Sequence, residues 1–410
     1  MAQRQRYFNP WWIVLGSTLA LIVCNGPVIG FTFGLFLKPV SQEFGWSRGA
    51  MSAASGAATL MMAMAVPFTG LLVDRWGVRR VLLPVIVLSS LSVAAISLTS
   101  ASLWVFVALY AIAGLVSAGN GPQPYAKTIA AWFDAQRGLA LGVAMAGVGL
   151  GIILVPQLSR LLIETYGWRH AYVGLGAVLF AVAFPAVAVL VREPAEGLAQ
   201  HPLPGKDAAA LSGLSVREAL TGSCQFWLLA AAVFLVAMAA NGTIVHVVPL
   251  LTDRGLPLTI AASMLSAVGL ASIVGRLLCG YLADRLFAPR MAAGFFLLPC
   301  LGIGLLMIAG HPLLPLIGII SLGFALGCEI DMMGFLTTRY FGLRRFGELY
   351  GYLFAMFYAG SALGPYLMGV SFDTFRSYHP ALSSFIIALL IASMLVSRLG
   401  RYVFAVATVH

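Results

Sequence analysis

The sequence predicts an all-α membrane protein with twelve transmembrane helices in two six-helix bundles. The first observation behind this prediction is composition: 60% of the 410 residues are hydrophobic and only 9% are charged. A soluble domain cannot bury so much apolar surface, so lipid must be the solvent for most of the chain. The second is a series of twelve apolar runs, and the third is a repeat that relates the two halves of the chain.

Each predicted span is an apolar run of roughly 20 residues, which is the length that crosses a bilayer. Span 1 is too long for a signal-peptide core, and no small-residue cleavage site follows it. The twelve spans, numbered in chain order, lie near 11–38, 50–72, 81–99, 104–131, 138–163, 168–191, 226–251, 259–282, 291–310, 313–338, 349–371 and 380–397.

The long polar segment after span 6 separates the two bundles. Residues 1–191 are predicted to form the N-terminal bundle, 192–224 a cytoplasmic linker, and 225–410 the C-terminal bundle. The linker is rich in proline and scattered charge, which is typical of a connection between domains. A short surface helix is predicted within it, around Ser215 to Leu220.

Orientation follows from the arginines and lysines. With both termini in the cytoplasm, 16 of these residues lie on the cytoplasmic side and six on the other. Positive charge is retained in the cytoplasm, so this topology is expected, in a bacterial inner membrane. The net charge of +10 is explained in the same way and needs no nucleic-acid partner.

The repeat is clearest in two loops rich in charge and glycine. The first, between spans 2 and 3, runs from Gly70 to Arg80 as Gly-x3-Asp-Arg-x-Gly-x-Arg-Arg. A shortened copy runs from Gly280 to Arg285, after span 8 and without the second glycine. Glycines also recur in spans 5 and 11, where small residues let helices approach closely.

The first loop resembles the loop between helices 2 and 3 of the major facilitator superfamily of transporters. This resemblance covers the whole chain and implies the major facilitator fold, in which two six-helix halves are related by a pseudo-two-fold axis. It places a substrate site between the halves near the membrane midplane. It also implies that charges in these loops gate transport by latching the bundles. The matching residues are Asp74, Arg75, Arg79, Arg80, Asp284 and Arg285.

Arg276 is the most informative single residue, because it lies well inside span 8. A charge inside the membrane costs at least ~2.5–3.5 kcal/mol and needs a partner or a purpose. The repeat places Val66 opposite it, so the fold does not require a cation there. One interpretation is a permanent ion pair with a neighbouring helix. The other, which we favour, is that the planar guanidinium binds an anionic substrate.

Glu329 and Asp331 in span 10 are the acids expected at the depth of Arg276. Because they are two residues apart, they point to different faces of the helix, and at most one can face Arg276. A carboxylate in a low-dielectric environment is stabilised by taking up a proton, so either is a candidate for proton coupling. The alternative is that they serve only to neutralise Arg276 and to stabilise the helix.

Other polar and aromatic residues in the spans are candidate substrate contacts. His246 in span 7 can bind a carboxylate, or can be satisfied by a backbone carbonyl. Three asparagines precede glycine in spans 1, 4 and 7, where they either contribute to the site or mark a helix break. Phe335 and Tyr358 either line a cavity or only pack. The asparagines are Asn25, Asn120 and Asn241.

Short segments around spans 1, 7 and 8 resemble the bacterial monocarboxylate and oxalate–formate group of this superfamily. They include Trp46-Ser47-Arg48, Thr252-Asp253-Arg254-Gly255 and Gly275-Arg276. The resemblance implies that Arg276 binds the substrate carboxylate and that Asp253 takes part in proton coupling. Ser272 stands where animal members carry an aspartate. Span 11 lacks the lysine of the oxalate exchanger, which favours one carboxylate per substrate.

These observations favour a secondary transporter of small organic monocarboxylates, such as lactate or pyruvate, that moves a proton and acts as a monomer. A dicarboxylate or anion exchanger of the oxalate–formate type is the main alternative. A drug exporter and a membrane sensor that does not transport are weaker ones. The sequence contains no enzyme signature and no nucleotide-binding loop, so neither an enzyme nor a cofactor is predicted. The five cysteines are expected to be unpaired, and no metal site is expected.

Overall fold

The computed structural model of the protein describes residues 9–133, 137–193, 213–283, 285–308, 313–342 and 345–404. Almost all of these residues are helical, and the only bridge between extended segments among them pairs Gly213 with Gly342. The helices are Trp11–Ile22, Gly26–Gly30, Phe33–Phe44, Arg48–Trp76, Val78–Ala95, Ile96–Leu98, Leu103–Ser117, Ala118–Asn120, Pro122–Trp132, Arg137–Leu190, Val216–Gly222, Cys224–Asp253, Leu258–Ala283, Ala288–Met307, Leu313–Phe341, Phe346–Phe375 and His379–Ser397.

Eleven stretches of helix in the described part of the chain are long and apolar enough to cross a membrane. One of them, Arg137–Leu190, has 54 residues, about 80 Å at ~1.5 Å per residue, far more than the ~30 Å of a hydrocarbon core. Its backbone leaves the helical conformation at Gly167, with φ 79° and ψ 165°. This kink divides it into spans 5 and 6, so the predicted helical architecture of twelve spans is confirmed.

Spans 1 and 4 are interrupted, whereas span 7 is not. Span 1 changes from an α-helix to a π-helical turn over Gly26–Gly30, directly after Asn25. Span 4 passes through a tighter turn over Ala118–Asn120 and an extended residue at Gly121. The prediction that Asn-Gly marks a break is therefore confirmed in these two spans. It is wrong for span 7, because Asn241 and Gly242 lie inside the continuous helix Cys224–Asp253.

Glycines bring the same pairs of spans together in each half. In span 5, a Cβ at Gly147 or Gly151 would overlap backbone carbonyl oxygens of span 1. In span 11, a Cβ at Gly360 or Gly364 would overlap carbonyl oxygens of span 7. Such contact is possible only where no side chain stands between the backbones. Packing thus requires a glycine at these four positions.

The contacts of the chain group it into two compact units. One comprises Met1–Pro202 with Val245–Gly269, and the other Leu203–Ile244 with Leu270–His410. The division into bundles at 191 and 225 stays a prediction. Of the predicted linker, residues 194–212 lie outside the described residues. The predicted surface helix is confirmed as Val216–Gly222, with a capping box.

Candidate functional site

An ion pair joins spans 8 and 10, as in the less favoured interpretation of Arg276. Arg276 Nε lies 3.5 Å from Asp331 Oδ2, and the two side chains are 33% and 36% exposed. This is the only ion pair of Arg276 among the described residues. The separation exceeds that of a good charge-assisted hydrogen bond, which is roughly 2.7–2.9 Å. Arg276 is therefore neutralised by Asp331 but loosely held.

Two glycines place Arg276 against span 10. A Cβ at Gly327 would overlap the Ser272 carbonyl oxygen and lie 2.9 Å from the Arg276 backbone nitrogen. On span 8, a Cβ at Gly275 would lie 2.5 Å from the Phe324 carbonyl oxygen. Cys328 donates its thiol to the Gly275 carbonyl oxygen at 3.2 Å. Because the backbones touch here, the position of Arg276 relative to Asp331 is set by close packing.

Glu329 lies two residues from Asp331 but in a different environment. Its side chain is 1% exposed, and neither carboxylate oxygen has a hydrogen-bond partner among the described residues. An isolated ionised carboxylate is very costly to bury, so such a group is normally neutral. As the sequence required, only one of the two acids faces Arg276.

Tyr350 in span 11 belongs to this site, although sequence reasoning did not select it. Its ring would lie 3.6 Å from a Cβ at Gly334, which is three residues along span 10 from Asp331. Phe354 packs on Tyr350, with ring centroids 4.9 Å apart. The sequence shows Tyr350 only as one aromatic residue of span 11, and aromatic residues are too common in this span to identify a site residue.

The remaining candidates of spans 7, 8, 10 and 11 have structural partners. Asn241 donates to Ala237 O and to Ser361 Oγ, both at 3.1 Å. Phe335 lies under the Arg339 guanidinium at 5.0 Å. Tyr358 packs on Phe354 at 5.7 Å. Ser272 is 8% exposed.

A second charged cluster joins the ends of spans 1, 2 and 7. Asp253 binds Lys38 Nζ at 2.6 Å, and its second oxygen binds Arg48 Nη1 at 2.5 Å. Nearby, His246 Nε2 forms a 2.9 Å hydrogen bond with Ser52 Oγ. Lys38, Arg48 and Ser52 were not selected from the sequence, because partners about 200 residues apart leave no local pattern. Asp253 is thus engaged by two cations, while His246 is buried with a hydroxyl partner.

The two broken spans meet at their asparagines. Asn120 is 0% exposed and accepts a hydrogen bond from the Tyr125 hydroxyl at 2.9 Å. Asn25 Nδ2 is 3.9 Å from the position of a Cβ at Gly121. The sequence therefore selected residues that the fold brings together.

The loop between spans 2 and 3 gains a partner at the end of span 6. Glu193 Oε1 accepts a hydrogen bond from the Val78 backbone nitrogen at 2.8 Å, at the positive end of helix Val78–Ala95. Gly77 has φ 86°, and a Cβ there would overlap the Glu193 carboxylate. Arg75, Arg79 and Arg80 are exposed, as is Arg285, which stacks on the Tyr281 ring at 3.8 Å.

The two aspartates of the predicted latch lie wholly or partly outside the residues that the structure describes. The side chain of Asp74 and the whole of Asp284 lie outside the described residues. Their gating role, like the binding and coupling roles of the residues above, stays a prediction. No group of three or more metal-binding side chains occurs within the ranges that the structure describes.

The chain matches the profile of the Major Facilitator Superfamily over residues 18–365. It is 29% identical over 375 residues to human Monocarboxylate transporter 11, covering 87% of this chain and 76% of the relative. It is 25% identical over 419 residues to the Oxalate:formate antiporter of Oxalobacter formigenes, covering 96% and 93% of the two chains.

A solved structure supports the same fold. The chain is similar, with a TM-score of 0.69 and 16% identity, to a bacterial homologue of the human lysosomal transporter Spinster in an inward-facing and occupied conformation. This similarity covers 94% of the chain and 95% of the homologue. At this identity the similarity concerns the fold alone.

Proposed function

Since the chain belongs to the Major Facilitator Superfamily, we propose that it is a proton-coupled symporter of small organic monocarboxylates that works by alternating access. The observation that carries this proposal is the loose pair between Arg276 and Asp331, which lie 3.5 Å apart inside two spans. A relative named as a monocarboxylate transporter supports it. We further propose a monomer in the bacterial inner membrane with both termini in the cytoplasm.

Arg276 is the proposed substrate-binding group. Its guanidinium offers parallel N–H donors to a carboxylate, a bidentate geometry that Lys lacks. Within the described chain its only charged partner is Asp331, and one third of the side chain is exposed. A substrate carboxylate can therefore replace Asp331 without breaking a short bidentate bond.

Charge balance links this replacement to a proton. Arg276 and Asp331 together carry no net charge, so an added substrate carboxylate would leave one uncompensated negative charge in the membrane. If Asp331 takes up a proton as it releases Arg276, the site stays neutral, and the costly excess charge is avoided. Substrate anion and proton then bind together, which defines symport.

Asp331 is the proposed coupling acid because the other two candidates have different surroundings. Asp253 is bound by two cations at 2.6 Å and 2.5 Å, so a proton would have to displace both. Glu329 is sealed from solvent at 1% exposure and contacts no described cation. A neutral Glu329 fits a structural role beside Asp331. The variant Glu329→Gln separates this structural role from proton coupling.

The substitution Arg276→Lys tests the proposal. It keeps the charge but removes the bidentate fork, so uptake of radiolabelled lactate or pyruvate into proteoliposomes should fall at least tenfold. Arg345→Lys is the matched control, because Arg345 also pairs with an acid of its own half, Glu348, at 2.9 Å. That control should transport normally. Transport by folded Arg276→Lys protein at wild-type affinity would contradict the proposal.

An anion exchanger is the second candidate, and its support is the similarity to the Oxalate:formate antiporter. The two mechanisms are separated by the driving force in liposomes. A symporter accumulates lactate when only a proton gradient is imposed. An exchanger accumulates labelled substrate only when unlabelled anion is present inside. Uptake that requires internal oxalate or formate, with no response to the proton gradient, would favour the exchanger.

A further inference from the structure

We propose that the breaks of spans 1 and 4 form a hydrogen-bond subsite for the 2-oxygen of a 2-oxo or 2-hydroxy acid, with the Asn120 side-chain amide as donor. This inference rests on the proposed transport of monocarboxylates and makes its substrate class more specific. It concerns side chains of spans 1 and 4 only.

The side chain of Asn120 is the first observation. It is 0% exposed, and its Nδ2 atom has no hydrogen-bond partner among the described residues. The oxygen of the same amide accepts from the Tyr125 hydroxyl at 2.9 Å. A buried donor without an acceptor is destabilising, so this one requires an explanation. A ligand that supplies the acceptor is such an explanation.

Asn25 gives a second donor at the same place. Its oxygen accepts from the Gly26 nitrogen at 2.7 Å, while its Nδ2 faces only the Met62 sulfur at 2.6 Å. A thioether is a weak acceptor. Asn25 Nδ2 also lies 3.9 Å from the Cβ position of Gly121, the residue that follows Asn120. The Asn25 donor, which has only this weak acceptor, thus lies beside the residue that follows Asn120.

The two glycines at the breaks supply the space. Gly121 has φ −86° and ψ 179°, a conformation open to any residue, and a Cβ there would meet only ordinary contacts at 3.4 and 3.9 Å. A Cβ at Gly26 would have nothing within 4 Å. Neither backbone strain nor packing therefore requires a glycine at these positions. In the proposed subsite, the missing side chains leave room for a bound group beside the asparagines.

The chemistry of the subsite selects a neutral oxygen. The groups that form it are amide N–H donors, with no cation among them, and a bare carboxylate is poorly stabilised without a positive charge. A keto or hydroxyl oxygen accepts from such a donor without that cost. Broken transmembrane helices are also where this kind of transporter places polar backbone and side-chain groups toward its solutes.

Binding of three acids to the purified, full-length protein tests the subsite. Pyruvate and lactate carry a 2-oxygen, and propionate has the same carbon chain without it. By isothermal titration, the wild-type protein should bind pyruvate or lactate roughly tenfold more tightly than propionate, because propionate leaves the donor unpaired. In Asn120→Leu, which has a similar volume, the preference should fall to within about twofold, with propionate binding retained.

Further variants separate recognition from folding. Asn120→Asp keeps the acceptor for Tyr125 and replaces the donor by oxygen, so it should lose the preference even if the leucine variant fails to fold. Tyr125→Phe removes the same internal hydrogen bond but leaves the donor, so the preference should remain. Gly121→Ala should weaken pyruvate and lactate binding, whereas Gly304→Ala, where a Cβ would meet nothing within 4 Å, should not.

Each result decides between the subsite and the wider proposal. If the wild-type protein binds none of the three acids, the proposed function fails and the subsite with it. If it binds all three equally, only the subsite is overturned. A preference that persists in Asn120→Leu and Asn120→Asp, or that disappears equally in Tyr125→Phe, also overturns it.

Discussion

In the proposed mechanism, Asp331 competes with the substrate for Arg276, and replacement of Asp331 by asparagine removes this competition. Two unit charges 3.5 Å apart attract by about 5 kcal/mol at an effective dielectric constant of about 20. Both side chains are about one third exposed, and water lowers this value toward the ~1 kcal/mol of a surface pair. Even a value of about 1.4 kcal/mol corresponds to a tenfold change in an equilibrium constant.

We therefore expect Asp331→Asn to bind carboxylate at least tenfold more tightly than the wild-type protein. Its affinity should also lose its dependence on pH. In the wild-type protein, binding should strengthen as pH falls, because a proton on Asp331 releases Arg276. Asparagine carries no charge at any pH, so the variant should bind equally well in acid and alkali. In proteoliposomes it should exchange labelled for unlabelled lactate but should not accumulate lactate in response to a proton gradient.

The measurements are isothermal titration with lactate over a series of pH values, and uptake with and without a proton gradient. Glu348→Gln is the matched control, since Glu348, in the first turn of helix Phe346–Phe375, is likewise an acid paired with an arginine of the same half, and it should behave as wild type. Glu329→Gln should keep both the affinity and its pH dependence. Unchanged affinity in Asp331→Asn, together with proton-driven accumulation, would refute the competition between Asp331 and substrate.

Three other expectations concern packing and charge away from the guanidinium. Gly327→Ala should lower the melting temperature by the equivalent of about 1–3 kcal/mol and weaken lactate binding, because its Cβ would overlap a span 8 carbonyl oxygen. Gly304→Ala is the control, and an equal melting temperature in the two variants would contradict this expectation. Asp253→Asn should also lower the melting temperature, because it leaves Lys38 and Arg48 without their acid. It should retain proton-driven uptake. A loss of accumulation with an unchanged melting temperature would indicate that Asp253, and not Asp331, is the coupling acid. Asp74→Asn should slow turnover more than Asp284→Asn, whose loop lacks the second glycine; equal effects would show that the two loops are equivalent.

The features that the sequence predicted correctly are those with a local signal. Apolar runs give the spans, and an arginine in a span requires an acid at similar depth, so the partnership of Arg276 with span 10 was predictable. An Asn-Gly pair also predicts a break, but the same pair in span 7 lies in a continuous helix. There Gly242 is needed because a Cβ would lie 2.8 Å from the backbone of Gly364. A glycine can mark a helix break or allow two helices to pack closely, and the sequence alone does not distinguish these two roles.

Contacts between distant segments left no such signal. Arg48 and Asp253 are 205 residues apart, and Glu193 reaches the nitrogen of Val78 from 115 residues away. An acid after span 6 is unremarkable in a loop, and only the fold shows that it caps span 3. The same holds for Tyr350, whose importance depends on the rotation of span 11 rather than on residue type.

The two halves of the chain share their packing but not their polar groups, and this difference separates structure from function. Glycine contacts with backbone carbonyl oxygens join span 5 to span 1 and span 11 to span 7, so the fold itself requires the same small residues twice. The ionisable groups Arg276, Glu329 and Asp331 occur only in the second half, and the repeat places Val66, Gly121 and Gln123 opposite them. The first half has broken helices and amide donors instead. Each membrane charge costs at least ~2.5–3.5 kcal/mol, and the first half folds without charges at the corresponding positions. This difference supports the proposed solute-binding role of Arg276 and Asp331.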